Sequence, residues 1–229
     1  MGVCPVRLTL VQPWAACHET GMKITCLHTM DIHIPTFDVL FREIAPQAEV
    51  SHVIRGDLLA RAQTEGIPGI RADTLAALSA LDGDAVLCTC STLGTMVDEL
   101  ADPRVLRVDR PMMEEAVRTG PKVLMAICLE STRGPSLSVL ESATQGLGLP
   151  LDVTVHCCAG AWPFFENGDK TGFATAVAAS VRTAVNDHNS VVLAQASMQG
   201  AAPLLADLGI PVLTSPLLAA QATVAQAKS

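Results

Sequence analysis

Short apolar runs alternate with longer stretches of helical periodicity along most of the chain. Eight of these runs have the length of buried strands, and they lie near residues 23–28, 49–54, 84–89, 104–108, 122–128, 151–156, 190–194 and 211–213. Segments in which apolar residues recur at helical spacing lie between them. This alternation is typical of β-α units that build a parallel sheet, so the sequence predicts an α/β fold.

Proline and glycine residues mark several of the predicted helix ends. Pro35 and Thr36 precede the first helix, Pro111 opens the fourth, and Gly146 and Gly148 end the helix after the fifth strand. Proline is favoured at the start of a helix and glycine just past its end, so these positions strengthen the predicted order of elements.

A weak internal repeat relates the two halves of the chain. A shift of 105 positions superimposes Val86 on Val191, Leu100-Ala101-Asp102 on Leu205-Ala206-Asp207, and Pro111 on Pro216. The same shift places Cys90 on Gln195, and each of these residues follows a predicted strand and precedes a predicted helix. Ligands bind at such positions in α/β sheets, and helix N-termini there attract anions. Two lobes of this kind would enclose a cleft suited to a small carboxylate.

Composition and charge exclude several classes of protein. Of the 229 residues, 49% are hydrophobic and 17% are charged, which excludes a disordered chain. Scattered basic residues and a net charge of -8 argue against nucleic-acid binding, and no apolar run approaches the roughly 18 residues of a membrane span. Several of the eight cysteines lie inside apolar runs, which favours free thiols in a reducing cytoplasm over disulfides.

The N-terminal segment differs from the rest of the chain. Residues 1–21 contain one basic residue, Arg7, and are interrupted by Pro5 and Pro13, which makes a poor signal peptide. Met22 and the residues after it have the character of the start of a first strand. We therefore interpret residues 1–21 as a dispensable extension.

Several motifs together resemble those of one enzyme family. They are Cys90-Ser91-Thr92 after the third strand, the segment from Val192 to Met198 with Gln195 at its centre, Asp109-Arg110-Pro111, Ser131-Thr132, and the segment from Val212 to Pro216. In order and spacing they resemble the aspartate/glutamate racemase superfamily, which includes hydantoin racemases, maleate isomerases and arylmalonate decarboxylases. The resemblance covers residues 23–218.

This resemblance implies two pseudo-symmetric, three-layer α/β lobes with mostly parallel sheets, a site in the cleft between them, and no cofactor. We predict that lobe 1 comprises residues 22–116 together with 210–229, and that lobe 2 comprises residues 117–209.

Cys90 is the strongest catalytic candidate. The resemblance implies that it is one of two catalytic thiols, but Gln195 stands where the second thiol is expected. Racemisation removes a proton from one face of a carbon and returns one to the other, and a thiol suits this because its pKa, near 8.5, can be lowered. An amide cannot exchange a proton in this way, although Gln195 could hold a carboxylate or stabilise an enolate.

Cys88 could pair with Cys90 around a metal ion, but the sequence favours another role. Tetrahedral zinc needs further Cys or His ligands at recognisable spacings, and none is found nearby. We therefore assign Cys88 to the core and predict no metal site.

The remaining candidates follow the other predicted strands. Ser91, Thr92, Ser131, Thr132, Gln195, Ala196 and Ser197 are candidate carboxylate-binding residues, and the hydroxyl groups among them equally suit helix capping. His28 and His156, at the ends of the first and sixth predicted strands, are candidates for a second acid or base. Hydrogen-bonded histidines without a chemical role are the alternative reading.

The sequence thus favours a cofactor-independent racemase or isomerase that acts at the α-carbon of a small carboxylate. A single-thiol lyase of the decarboxylase type and a carboxylate-binding protein without turnover are the alternatives. Aromatic residues make up 3% of the chain and tyrosine is absent from it, which favours a small aliphatic substrate. The sequence leaves a homo-oligomer open.

Overall fold

Eight parallel strands form the framework of the part of the chain that the structure describes. A computed structural model describes residues 21–229, and the predicted extension, apart from Gly21, lies outside this range. The strands are β1 (Lys23–His28), β2 (Glu49–Ile54), β3 (Ala85–Cys88), β4 (Val105–Arg107), β5 (Lys122–Ile127), β6 (Asp152–Cys157), β7 (Ser190–Leu193) and β8 (Val212–Thr214). Each lies within two residues of a predicted strand, because buried parallel strands are continuous apolar runs in the sequence.

The strands are divided equally between two sheets of the same topology. The first sheet has the order β2-β1-β3-β4 and the second has the order β6-β5-β7-β8, with every pairing parallel. The predicted repeat is therefore confirmed in the topology, since β3 and β7 occupy equivalent central positions. The predicted α/β fold with two pseudo-symmetric lobes is also confirmed.

Helices cover both faces of each sheet, which gives each lobe three layers. They are α1 (Ile34–Ile44), α2 (Gly56–Ser79), α3 (Ser91–Val97), α4 (Arg110–Thr119), α5 (Arg133–Leu147), α6 (Trp162–Glu166), α7 (Lys170–Ala184) and α8 (Ser215–Gln226). Pro35 and Pro111 lie in the first turns of α1 and α4. Gly148 ends α5 with a φ of 64°, a conformation that favours glycine, whereas Gly146 lies within the helix.

The last helix of each half packs on the sheet of the other half. Met112 and Met113 of α4 share an apolar cluster with Val123 of the second sheet. Ala219 of α8 shares a cluster with Ile24 of the first sheet. This exchange joins the two lobes through buried side chains.

The exchange corrects the predicted lobe boundaries. Residues 210–229 do not form a single part of lobe 1, because β8 pairs with β7 in the second sheet while α8 packs on the first. Residues 110–116, which we assigned to lobe 1, belong to α4 and pack on the second sheet. The apolar pattern of a helix shows that one face is buried, but it does not show which sheet buries it.

No helix among residues 21–229 is long and apolar enough to cross a membrane.

Candidate functional site

Cys90 lies at the carboxyl edge of the first sheet, between β3 and α3. Its backbone is extended, with φ -107° and ψ 116°, and it is the residue that precedes the first turn of α3. The residue is only 9% exposed and shares an apolar cluster with Leu27 and Leu93. The predicted position at the end of a strand is confirmed, and the thiol lies against the core of lobe 1.

Cys88 is a core residue, as predicted. It is fully buried, and burial raises the pKa of its thiol to about 12. Its Sγ donates to the carbonyl oxygen of Cys90 at 3.7 Å. Cys88 therefore supports the strand end on which Cys90 lies and is not in the state required of a nucleophile.

A buried ion pair fixes α3 behind Cys90. Arg107 of β4 donates from Nε and Nη2 to the two carboxylate oxygens of Asp109, at 2.6 and 3.1 Å, and from Nη1 to Asp98. Gly94 of α3 lies directly on this guanidinium group, since a Cβ there would come within 3.1 Å of Nε. The absence of a side chain at Gly94 therefore lets α3 pack closely against Arg107.

Ser91 and Thr92 are the first two residues of α3 and are half-buried. The capping explanation for them is not supported, since the structure shows no side-chain cap at the start of α3. Within the described part of the chain, neither hydroxyl makes a hydrogen bond. Both hydroxyls remain free to bind a ligand.

The residues after β7 form a 3₁₀ helix, Ala196–Ala201, and not the α-helix that the sequence predicts. Pro203 follows it and has no N–H to donate to the carbonyl of Gln199, which prevents an α-helix from continuing here. Ala196 and Ser197 form the first turn of this 3₁₀ helix and are half-buried.

Gln195 is held by a specific contact. Its Oε1 accepts a hydrogen bond from the backbone N–H of Cys128 at 2.7 Å. Because the oxygen of the amide is used in this way, the two N–H groups of Nε2 point elsewhere. Residues 21–229 provide no hydrogen-bond partner for Nε2.

Ser131 and Thr132 lie in a 3₁₀ turn, Glu130–Thr132, that leads into α5. Ser131 is exposed and Thr132 is half-buried, and no side-chain cap forms at the start of α5. These hydroxyls, like those of Ser91 and Thr92, are therefore not explained by capping.

The ring nitrogens of the two candidate histidines are engaged in hydrogen bonds. His28 ends β1 as predicted, but it is 0% exposed and both of its ring nitrogens are hydrogen-bonded, to Thr89 and His52. His156 is not the last residue of β6, and its Nε2 lies 2.8 Å from Oγ of Ser180 on α7. The alternative reading of hydrogen-bonded strand histidines therefore describes both residues better than that of a free acid or base.

Sequence reasoning missed a chain of hydrogen bonds that begins at His28. His28 Nε2 lies 2.8 Å from His52 Nδ1, and His52 Nε2 lies 3.0 Å from Asp38 Oδ1. At the other end, His28 Nδ1 lies 2.8 Å from Oγ1 of Thr89, the residue before Cys90. A histidine inside each of two short strand-like runs was the available signal, but only the pairing of β1 with β2 brings the two rings together.

An open cavity of about 390 Å³ lies between the two lobes. Its lining includes Pro35 and Thr36 of α1, Gln199 after β7, and Thr214 at the end of β8. Gln199 Nε2 donates to Thr36 Oγ1 at 3.4 Å across this boundary. Among the described residues, the lining includes neither Cys90 nor Gln195, so a cleft shared by these two residues remains a prediction.

Comparisons with known proteins find solved structures that share this architecture. No family model matches the chain, and no curated protein matches it. Among solved structures, aspartate racemase from Picrophilus torridus matches 91% of this chain and 95% of its own at 13% identity, with a TM-score of 0.67. A glutamate racemase from Bacillus anthracis matches 93% and 84% at 16% identity, with a TM-score of 0.62. Allantoin racemase from Pseudomonas fluorescens matches 90% and 91% at 15% identity, with a TM-score of 0.60. The chain therefore shares the two-lobed fold of these aspartate, glutamate and allantoin racemases.

Proposed function

We propose that the protein is a cofactor-independent enzyme of the racemase or isomerase type that acts at the α-carbon of a small carboxylate. The observation that carries the proposal is the position of Cys90. It lies just beyond β3, one of the two central strands of the first sheet, at the edge of the sheet where ligands bind, in a fold shared with aspartate, glutamate and allantoin racemases.

In this proposal Cys90 transfers the α-proton. The thiolate takes the proton from the α-carbon, the electron pair of the C–H bond moves toward the carboxylate to form an enolate, and a proton returned to carbon completes the turnover. If the proton returns to the face from which it left, the configuration is kept. Racemisation therefore needs a second donor on the opposite face.

Gln195 supports the enolate and does not supply that second proton. Its Oε1 is used by the N–H of Cys128, which leaves the Nε2 group as a hydrogen-bond donor of fixed orientation. Donors held in place stabilise the negative charge that develops on an enolate. The uncapped hydroxyls of Ser91, Thr92, Ser131 and Thr132, together with the backbone at Ala196 and Ser197, would bind the substrate carboxylate.

A lyase of the decarboxylase type is the second candidate, and Gln195 is the observation that favours it. Loss of carbon dioxide also produces an enolate, and protonation of that enolate needs only one donor on one face. An enzyme with one thiol and one amide would then give a single enantiomer of the product.

Exchange of the α-proton in deuterated water distinguishes these functions. A panel of small amino, hydroxy and substituted dicarboxylic acids would first be screened by thermal shift, and the stabilising acids would be followed by NMR and chiral chromatography. Exchange with inversion identifies a racemase, and release of carbon dioxide identifies a lyase. An acid that binds but undergoes neither change identifies a carboxylate-binding protein and contradicts the proposal of an enzyme.

A further inference from the structure

Three side chains with metal-binding atoms meet on one face of the first sheet. Cys26 and His28 are two residues apart on β1, so they share a face, and His52 on β2 lies directly opposite Cys26 in the parallel register. The ligand atoms of the three residues lie within 4.8 Å of one another. Cys26 and His28 are fully buried, and His52 is half-buried.

The outer nitrogens of both histidines already have partners. His52 Nε2 lies 3.0 Å from Asp38 Oδ1, and since a carboxylate only accepts, this nitrogen is the donor. His52 Nδ1 therefore presents a lone pair to His28 Nε2, which is 2.8 Å away. On the far side of His28, Nδ1 lies 2.8 Å from Thr89 Oγ1, whose hydroxyl also lies within 3.1 Å of the carbonyl oxygen of Leu27.

This pattern is the one that holds histidines around a metal ion. Metal-binding histidines use one ring nitrogen for the metal and donate the other N–H to a carboxylate, a carbonyl or another oxygen. Here Asp38 and Thr89 provide these outer acceptors, while His28 Nε2 and His52 Nδ1 face each other next to the Cys26 thiol.

We propose that Cys26, His28 and His52 form a binding site for a divalent transition metal of the zinc type. Sulfur and imidazole nitrogen are ligands that Zn²⁺ and Co²⁺ accept well, whereas Mg²⁺ and Ca²⁺ prefer oxygen. At Zn–N distances of roughly 2.1 Å, tetrahedral ligands lie roughly 3.4 Å apart, so the two ring nitrogens, now 2.8 Å apart, must separate by about 0.6 Å. The fourth position is left for water or another exogenous ligand.

The protons and charges of the site balance when a divalent ion binds. In the metal-free site a single proton, on His28 Nε2, satisfies the contact with His52 Nδ1. When metal binds, the proton of His28 is carried on Nδ1, and this N–H donates a hydrogen bond to Thr89 Oγ1, whose own hydroxyl donates to the carbonyl oxygen of Leu27. The Cys26 thiol releases its proton to solvent. The Cys26 thiolate and the Asp38 carboxylate then offset the two positive charges of the metal.

The sequence did not predict this site, because the prediction considered only Cys88 and Cys90. A Cys-x-His on one strand acquires its third ligand only when a particular neighbouring strand pairs in a particular register. The proposal does not depend on the chemistry of Cys90, although Thr89 connects the site to the residue before it.

Titration with Co²⁺ tests the proposal on the full-length, reduced protein after treatment with a chelator. We expect one equivalent to bind with the visible d–d bands of a tetrahedral centre and a sulfur-to-cobalt charge-transfer band in the near ultraviolet, and Zn²⁺ to displace it. Failure to bind Co²⁺ or Zn²⁺ would overturn the proposal.

Variants assign the ligands. Cys26→Ser should abolish the charge-transfer band, and His52→Gln should weaken Co²⁺ binding at least tenfold. Asp38→Ala removes only an outer acceptor and should lower the affinity about 10- to 100-fold. The side chain of Asp38 is 43% exposed, so this variant is expected to fold even if Cys26→Ser does not.

The controls Cys157→Ser and His156→Gln should bind Co²⁺ as the wild type does. Wild-type affinity in Asp38→Ala and His52→Gln, or loss of the bands in Cys157→Ser, would place the metal elsewhere.

Discussion

The side chain of Gln195 and the backbone of Cys128 are joined by a 2.7 Å hydrogen bond, with Oε1 as the acceptor. Cys128 is the first residue beyond β5, and Gln195 is the second residue beyond the neighbouring strand β7. It holds the amide in one orientation at the place where the resemblance implies a second catalytic thiol. If the Gln195 side chain were removed, the backbone N–H of Cys128 would lose its acceptor and remain unsatisfied. Gln195 therefore has a structural role beside its proposed chemical one.

Replacement of Gln195 by cysteine is expected to create or increase racemisation. The change places an ionisable thiol on the opposite half of the repeat from Cys90. Racemisation is measured as inversion of the substrates found by α-proton exchange, with Gln195→Ala as the control that removes the amide without adding a thiol. If Gln195→Cys inverts no acid that the wild type binds, the assumed correspondence of Cys90 with Gln195 is wrong.

Cys90→Ala is expected to abolish turnover and to preserve the fold. General acid–base groups contribute about 10²- to 10⁴-fold to rate, so the rate of α-proton exchange should fall by at least that much. The thiol is small and lies at the edge of an apolar cluster, so the free energy of unfolding should fall by only about 1 kcal/mol. The measurements are exchange kinetics and denaturant unfolding. Cys157→Ser is the control for loss of a thiol, and a Cys90→Ala protein with the wild-type rate would refute the proposed mechanism.

Asp109→Ala is expected to destabilise the protein by about 3–5 kcal/mol. It leaves the Arg107 guanidinium, which is buried beneath α3, without its bidentate partner. Denaturant unfolding measures the loss. Asp187→Ala, which removes an exposed ion pair with Lys122, should change stability by less than about 1 kcal/mol. Equal effects of the two substitutions would show that the buried pair does not fix α3.

Gly94→Ala is expected to destabilise the protein by about 1–3 kcal/mol, even though alanine is the better helix former. The new methyl group would lie 3.1 Å from Nε of Arg107, whose guanidinium is held by Asp109 and cannot easily move. In Gly146→Ala on α5 the methyl group meets no atom within 4 Å, so this control should be neutral or stabilising. Thermal unfolding of both variants provides the comparison. A stabilising Gly94→Ala would show that the Arg107 side chain moves to make room for the methyl group.

The stability of the metal-free protein is expected to fall as the pH drops from 6.5 to 4. Burial, followed by the charges of His52 and His33, lowers the pKa of His28 to about 4, while Asp38 acts in the opposite direction. Between the two pKa values the unfolded chain binds a proton that the folded chain does not, so acid favours unfolding. The loss should approach roughly 3 kcal/mol below pH 4.

Denaturant unfolding at several pH values, with a chelator present, measures this effect. NMR titration of the His28 ring measures its pKa directly and does not require a variant at a buried position. His188→Gln is the control for removal of a histidine elsewhere and should keep the same pH dependence. A His28 that titrates near 6.5 in the folded protein would contradict the prediction.

Some features were predictable because they depend on local pattern. The strands could be located from apolar runs, and the positions of Cys90 and Gln195 at strand ends followed from that. The burial of Cys88 followed as well, because it lies inside such a run. Capping at Ser91 and Ser131 was also a local prediction, but the structure does not form those caps.

Other features depend on contacts between distant segments. The sequence by itself determined the order of strands and helices, the equivalence of its two halves and the placement of the Cys90 thiol at the end of β3, since residue spacing and apolar periodicity carry this information. Only the tertiary structure decided that α4 and α8 pack on opposite lobes, that His28 is buried, and that His52 and Asp38 join it. These outcomes depend on which strand pairs with which and on which sheet buries each apolar helix face, and residue periodicity does not specify either partner.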